Sequence, residues 1–110
     1  MRGYEVRVTK QALAQMSAIA HYIAHDLMAP EAANRLLDRF ETEMMKLSDF
    51  PKQHALIEEE PWRSKGIRHI VVKNFLIYYW VDDEHHRVQV TAVINYRRDQ
   101  IRQLDEMDME

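Results

Sequence analysis

The spacing of apolar residues changes period once along this chain, and that change constrains the fold more tightly than any other feature. Up to residue 48 the apolar residues recur at steps of three and four. Leu13, Met16, Ile19, Ala20, Ile23 and Leu27 draw one stripe, and Ala33, Leu36, Leu37, Phe40, Met44 and Leu47 draw a second. Such steps put side chains on one side of an α-helix, which predicts two amphipathic helices over residues 10–28 and 31–48. From Gly66 the period is two. Residues 66–72, 75–81 and 87–95 read as strands, and so does the opening alternation of residues 4–9.

The residues between these runs supply the punctuation. The Thr9 hydroxyl suits a helix N-cap, because it can accept an orphan N–H of the first turn. Pro30 cannot continue the first helix but fits the first turn of the second, so the two helices form a hairpin. Residues 52–65 have no clean period and carry Glu58-Glu59-Glu60 and Pro61, which marks a loop. Lys73-Asn74 is short enough for a tight hairpin turn, with Asn74 tolerating a positive φ. Asp82 to His86 makes a polar loop before the last strand, and the tail from Arg97 reads as a short final helix.

These signals predict a single α+β domain over residues 1–110, in the order β-α-α-β-β-β-(α). The last three strands form an antiparallel meander. The helical hairpin packs on one face of this small antiparallel sheet, and the first strand extends it at the edge beside the last. Phe75 to Val81 is apolar on both faces, as a central strand covered from both sides would be. Leu76, Tyr78 and Trp80 on its second face therefore need a cover, from a partner, a substrate or the final helix. On the last strand Val88, Val90, Ala92 and Ile94 alternate onto one face, which Tyr96 continues.

Composition narrows the chemistry. With 46% hydrophobic residues in 110, the chain can fill one core. It has no run of about 18 apolar residues and opens without an apolar signal segment, so a cytoplasmic protein without a membrane span is expected. The 0 Cys leave neither disulfides nor a thiol nucleophile. No phosphate-cradling glycine loop, Ser-His-Asp set or cofactor fingerprint is present, so no cofactor is expected. His21 and His25 stand four apart, the spacing of a metal pair on a helix, but no third ligand accompanies them; a solvated helix face and no metal are expected. His85 and His86 fall in the polar loop.

Net charge is −3, yet the charges are unevenly spread. Glu58-Glu59-Glu60 and the tail acids Asp105, Glu106, Asp108 and Glu110 hold seven of the 18 acidic residues, which leaves 15 bases against 11 acids elsewhere. Arg63, Lys65, Arg68, Lys73, Arg97, Arg98 and Arg102 gather in the second half. A local basic surface on an acidic chain is expected from that distribution.

Taken in order, these elements resemble the RelE/ParE toxin family over nearly the whole chain. The resemblance is carried by Thr9 and Ala12, by Ile19 and Tyr22-Ile23-Ala24, and by Pro30, Ala32-Ala33 and Leu36-Leu37. It continues through Phe40, Leu47, Phe50-Pro51, Gly66-Ile67-Arg68, Asn74 to Tyr79, Val93-Ile94 and Tyr96-Arg97-Arg98-Asp99. Gly66-Ile67-Arg68 and Arg98-Asp99 look especially like the ParE branch. The resemblance implies a toxin that halts growth when free and is neutralised by a cognate antitoxin encoded beside it. ParE-like members inhibit DNA gyrase, whereas RelE-like members cut messenger RNA on the ribosome. A non-toxic interaction module that keeps only the antitoxin-binding surface is the third alternative.

Cleavage of RNA needs the 2′-hydroxyl deprotonated, the phosphate charge balanced and the leaving oxygen protonated. By strand, the basic RelE-like positions fall near Arg68 or His69 and near Arg97. The Arg of the RelE-like middle strand falls at Leu76 instead, and the late Tyr near Gln103. A substitute catalytic set is Tyr96 for proton transfer and Arg68 and Arg97 on the phosphate, with Glu60 or His69 assisting. Each has a plainer role open to it: Tyr96 as an aromatic at the core edge, Arg68 as a partner of Asp99. Target or RNA contacts are expected at Arg68, Lys73, Arg97 and Arg98, since guanidinium forks suit phosphate and carboxylate. Antitoxin contacts are expected at Leu76, Tyr78 and Trp80.

Overall fold

In the computed structural model, which describes residues 3–95, the elements run in the predicted order. Strand β1 (Glu5–Val8) leads into α1 (Lys10–His21), which a wide π-helical turn (Tyr22–Asp26) continues. Helix α2 (Pro30–Met45) comes next, then strands β2 (Arg68–Val72), β3 (Phe75–Asp82) and β4 (Arg87–Asn95). The sheet order is β1-β4-β3-β2. β2, β3 and β4 form the antiparallel meander, and β1 lies parallel to β4 at the edge, Val6 opposite Val88, so the sheet as a whole is mixed. The final helix expected from Arg97 lies outside the described residues. Among the described residues no helix is long and apolar enough to cross a membrane.

The caps work as their chemistry requires. The Ala12 N–H donates to Thr9 Oγ1 at 3.2 Å, and the Thr9 hydroxyl donates to the Thr91 carbonyl at 3.4 Å, which ties the start of α1 to β4. Pro30 opens α2, where its missing N–H costs nothing. In the two-residue turn before β3 the left-handed position is Lys73 (φ 57°) rather than Asn74.

On its helix side the sheet closes the main core. Leu36, Phe40, Met44 and Leu47 from the second helical segment meet Val72, Phe75, Ile77, Tyr79, Val88 and Val90. Burying each such side chain is worth about 1.5–3 kcal/mol, so this layer dominates the folding energy. Helix α1 contributes less. Ala12 is its one fully buried residue, while Met16, Ile19 and Ile23 are half-buried. Leu13, predicted on the buried stripe, is exposed, because it stands one step of roughly 100° around the helix from Ala12. Leu27, also predicted inside, is exposed beyond the π-helical turn, whose extra residue rotates the next stretch of chain about the axis.

The second face of the sheet has its own core, and here the structure corrects two expectations. Tyr78 pairs with Ala92 and Tyr79 with Val90, so Thr91 is a bulge residue between the two pairs. One extra residue inverts a period of two. Val88, Val90 and Val93 face the helices, while Ala92 and Ile94 face away, instead of all four even-numbered residues sharing one side. The cover for that far face comes from the loop at residues 52–65 and its exit. Ile57 and Ile67 pack with Leu76, Tyr78, Ala92 and Ile94, and Trp62 and Trp80 close over them. Ile57 N–H donates to the Ile67 carbonyl at 2.9 Å, and Leu56 bridges to Arg68, fastening the segment along β2. Gly66, at φ 83°, makes the left-handed turn back into the strand at no cost in side-chain clash.

Tyr79 anchors the start of this segment. Its buried hydroxyl donates to the Pro51 carbonyl at 2.6 Å, and burial pushes its pKa up to about 12. Tyr79→Phe is expected to cost about 1–3 kcal/mol at neutral pH, because the Pro51 carbonyl loses its donor in a buried place. The unfolded chain ionises this phenol near 10 and the folded one near 12, so the Tyr79 contribution is intact below about pH 10 and declines from there to about pH 12. Urea titrations should show the gap between wild type and Tyr79→Phe narrowing over that window; a gap independent of pH would refute the buried donor.

Candidate functional site

Arg68 and His69 stand next to each other on β2, so their side chains leave opposite faces of the sheet. Arg68 points to the side of Tyr79, its partner across the ladder, and its guanidinium donates to the His54 carbonyl at 2.5 Å and the Lys52 carbonyl at 3.4 Å. With the Tyr79–Pro51 bond this clamps residues 51–54 against the sheet. Arg68 is thus engaged in holding the chain's own backbone; its expected alternative partner Asp99 lies outside the described residues.

His69 leaves the other face, edge-on to the Tyr78 ring with centroids 6.2 Å apart. Its Nδ1 is buried and has no hydrogen-bond partner among the described residues. Burial lowers its pKa below the ordinary 6.5, with Glu59 opposing and His54 adding to the shift, so the ring is neutral at pH 7. A cavity of about 430 Å³ opens between the end of α2 and β2, with His54, His69, Lys46 and Glu43 on its wall. Glu43 is already bonded to Arg39 at 3.2 Å and to Lys46 at 3.3 Å, so its carboxylate is held in a local ion-pair cluster.

Glu60, the other expected assistant, accepts from the Ser64 N–H at 3.0 Å and from the Ser64 hydroxyl at 2.7 Å. Those bonds lower its pKa, so it is a weak base and a local turn anchor rather than a group poised to move a proton near pH 7. Leu76, where the sequence resemblance set the middle-strand arginine position, is buried in the far-face core. Of the expected catalytic set, Arg68 is bonded to loop carbonyls and Glu60 to Ser64, and His69 leaves the opposite face of the sheet from Arg68.

The remaining expected contact residues are spread out. Lys73 sits in the β2–β3 turn, five residues from Arg68, roughly 16 Å at about 3.3 Å per strand residue. Strand β4 ends at Asn95 opposite Phe75, next to that turn, so the chain leaves the sheet at the Lys73 end. Tyr96, Arg97 and Arg98 come directly after and lie outside the described residues. Of the three residues expected to meet an antitoxin, Tyr78 is fully buried and Leu76 nearly so, whereas Trp80 keeps partial exposure, as does Trp62 beside it. Trp62 and Ile57 were not singled out from sequence; two large apolar residues in an otherwise polar, aperiodic loop were the available signal.

His21 and His25 meet on the helix surface with ring centroids 4.2 Å apart and planes tilted by 35°, both exposed. Asp82, Glu84 and His85 gather in the exposed β3–β4 loop, where His85 Nδ1 and Asp82 already bond at 2.8 Å. Neither group assembles a buried ligand set of the kind a structural metal requires.

Comparisons with known proteins place this geometry. A family model described as the ParE toxin of the type II toxin–antitoxin system parDE matches residues 6–100. No curated protein matches the chain. Among solved structures, a chain of the chromosomal ParDE toxin–antitoxin system from P. aeruginosa is similar, with a TM-score of 0.68 and 21% identity over 86% of this chain and 98% of that one. A chain of the RelBE2 toxin–antitoxin complex from Mycobacterium tuberculosis is similar too, with a TM-score of 0.60 and 21% identity over 86% and 93%.

Proposed function

Since the chain belongs to the ParE toxin family of type II toxin–antitoxin systems, we propose that it arrests growth in the cytoplasm by binding DNA gyrase and is neutralised by a cognate antitoxin. The observation that carries gyrase binding over RNA cleavage is the state of Arg68. Its guanidinium is committed to the Lys52 and His54 carbonyls of the chain's own loop. A binding toxin needs charge and shape at its contact surface, and the basic residues Lys73, Arg97 and Arg98 supply the charge in this reading. Antitoxin contact on the far face centres on Trp80 with Trp62, the large side chains there that keep exposed surface.

Induced expression without antitoxin tests this, with messenger RNA 5′ ends and plasmid supercoiling read from the same culture. Growth arrest with altered supercoiling and no new 5′ ends is the expected result. New 5′ ends at ribosome-bound messages before any change in supercoiling would establish the RelE-type activity instead. Unimpaired growth would leave a non-toxic interaction module.

A further inference from the structure

We propose that the cavity between the end of α2 and the outer edge of β2 binds a free nucleoside monophosphate, its base stacked on Phe50 and its phosphate beside Lys46. The site is independent of the toxin reading above. Its volume of about 430 Å³ lies within the roughly 300–1,000 Å³ of small-molecule sites, room for one nucleotide rather than for a length of strand. Because β2 is the last strand of the sheet, the cavity takes Ile70 from the helix side and His69 and Val71 from the far side.

Three kinds of wall meet there. Phe50 is 55% exposed, an aromatic ring that the protein's own core leaves to solvent. Every nucleobase has a π face that such a ring can stack, whatever the base. Gln53 and His54 add donors and acceptors for the base or sugar edge. The third wall is charged. Glu43 with Arg39 and Lys46 sets two cations against one carboxylate, which leaves one net positive charge. The Lys46 side chain is 67% exposed, so its ammonium can turn from Glu43 to a phosphate while staying hydrated.

The charge also selects the ligand. Arg68 bonds the His54 and Lys52 carbonyls rather than a carboxylate among the described residues, which puts a second uncompensated cation behind that wall. A phosphate monoester carries about −1.5 to −2 at pH 7, a match for two surplus positive charges. A bare nucleoside would leave them unmatched, and a triphosphate would exceed them. His69 adds a hydrogen-bonding edge to the same cavity without adding charge at pH 7. The wall is ordered in advance. The Tyr79 hydroxyl holds the Pro51 carbonyl and Arg68 holds that of His54, so residues 51–54 give up little freedom on binding.

Adenosine 5′-monophosphate titrated into the purified chain, by calorimetry and with amide NMR shifts, tests the site. Saturable binding with a Kd below about 1 mM is expected, with shifts gathered at residues 43–54 and 69–71. Phe50→Ala should weaken it about tenfold through lost stacking. Lys46→Glu should weaken it about as much, and more at low salt than at high salt. Both positions are exposed, so folding is not at risk, and Leu13→Ser on the outside of α1 should bind as wild type does. Adenosine and ribose 5-phosphate should each bind about tenfold more weakly, since each lacks one of the two anchors. A 5′-phosphorylated trinucleotide should bind no tighter than the monophosphate; much tighter binding would overturn the free nucleotide in favour of a strand end. No saturation, ribose 5-phosphate binding as well as the nucleotide, or wild-type affinity in both variants would overturn the site. Each of those results would leave the toxin reading standing.

Discussion

Arg97→Ala is expected to abolish growth arrest by the free toxin while leaving antitoxin binding through Trp80 in place. The residue lies two positions beyond the end of β4 in the sequence, and its planar fork is the side chain best suited to a phosphate or a carboxylate on the target. Tyr96→Phe separates the two mechanisms. It keeps the ring and removes only the hydroxyl, so a gyrase-binding toxin retains its effect. A nuclease that moves a proton through Tyr96 would lose about 10²–10⁴-fold in rate. Growth arrest after induction and circular dichroism of each purified variant are the measurements. A folded Tyr96→Phe protein that is harmless, and whose wild type cleaves messenger RNA, would reverse the proposed mechanism. A fully toxic Arg97→Ala protein would remove Arg97 from the contact surface.

Phe40→Ala should destabilise the fold by about 3–5 kcal/mol. Phe40 is fully buried and meets Phe75 edge-to-face at 5.4 Å between ring centroids, so it fastens α2 to the central strand. Domains of this size hold about 5–15 kcal/mol in total, so the loss is a large fraction of the stability. Urea unfolding should show a large drop in midpoint. Leu13→Ala serves as the comparison: at 53% exposure it should change stability by no more than about 0.5 kcal/mol, although the apolar stripe counted it as core. Equal effects at the two positions would show that the buried line of α1 had been misplaced.

The candidate site was less legible than the fold, and particular residues show why. Arg68 is recognisable as a basic residue at a family position. Its commitment to the His54 and Lys52 carbonyls is not, because those acceptors lie 14 and 16 residues away in a stretch without period. Leu76 and Tyr78 were correctly seen to need a second cover. That Ile57, Trp62 and Ile67 provide it depended on how a polar-looking loop folds back, which no local spacing encodes. Trp80 keeps exposure only because that loop stops short of covering it completely.

What the sequence alone determined was everything with a short physical range. Periods of 3.6 and two assign helices and strands because each side chain's direction is set by its immediate neighbours. Thr9 capped α1 and Pro30 opened α2 for equally local reasons: an oxygen three residues from an orphan N–H, and a missing N–H where none is needed. The tertiary structure alone decided which face each residue finally took. The bulge at Thr91 turned Ala92 and Ile94 away from Val88 and Val90, and the π-helical turn set Leu27 outside the core. One added residue reverses a period of two and rotates a period of 3.6, and its insertion is selected by strand partners and packed neighbours far along the chain rather than by the residues beside it.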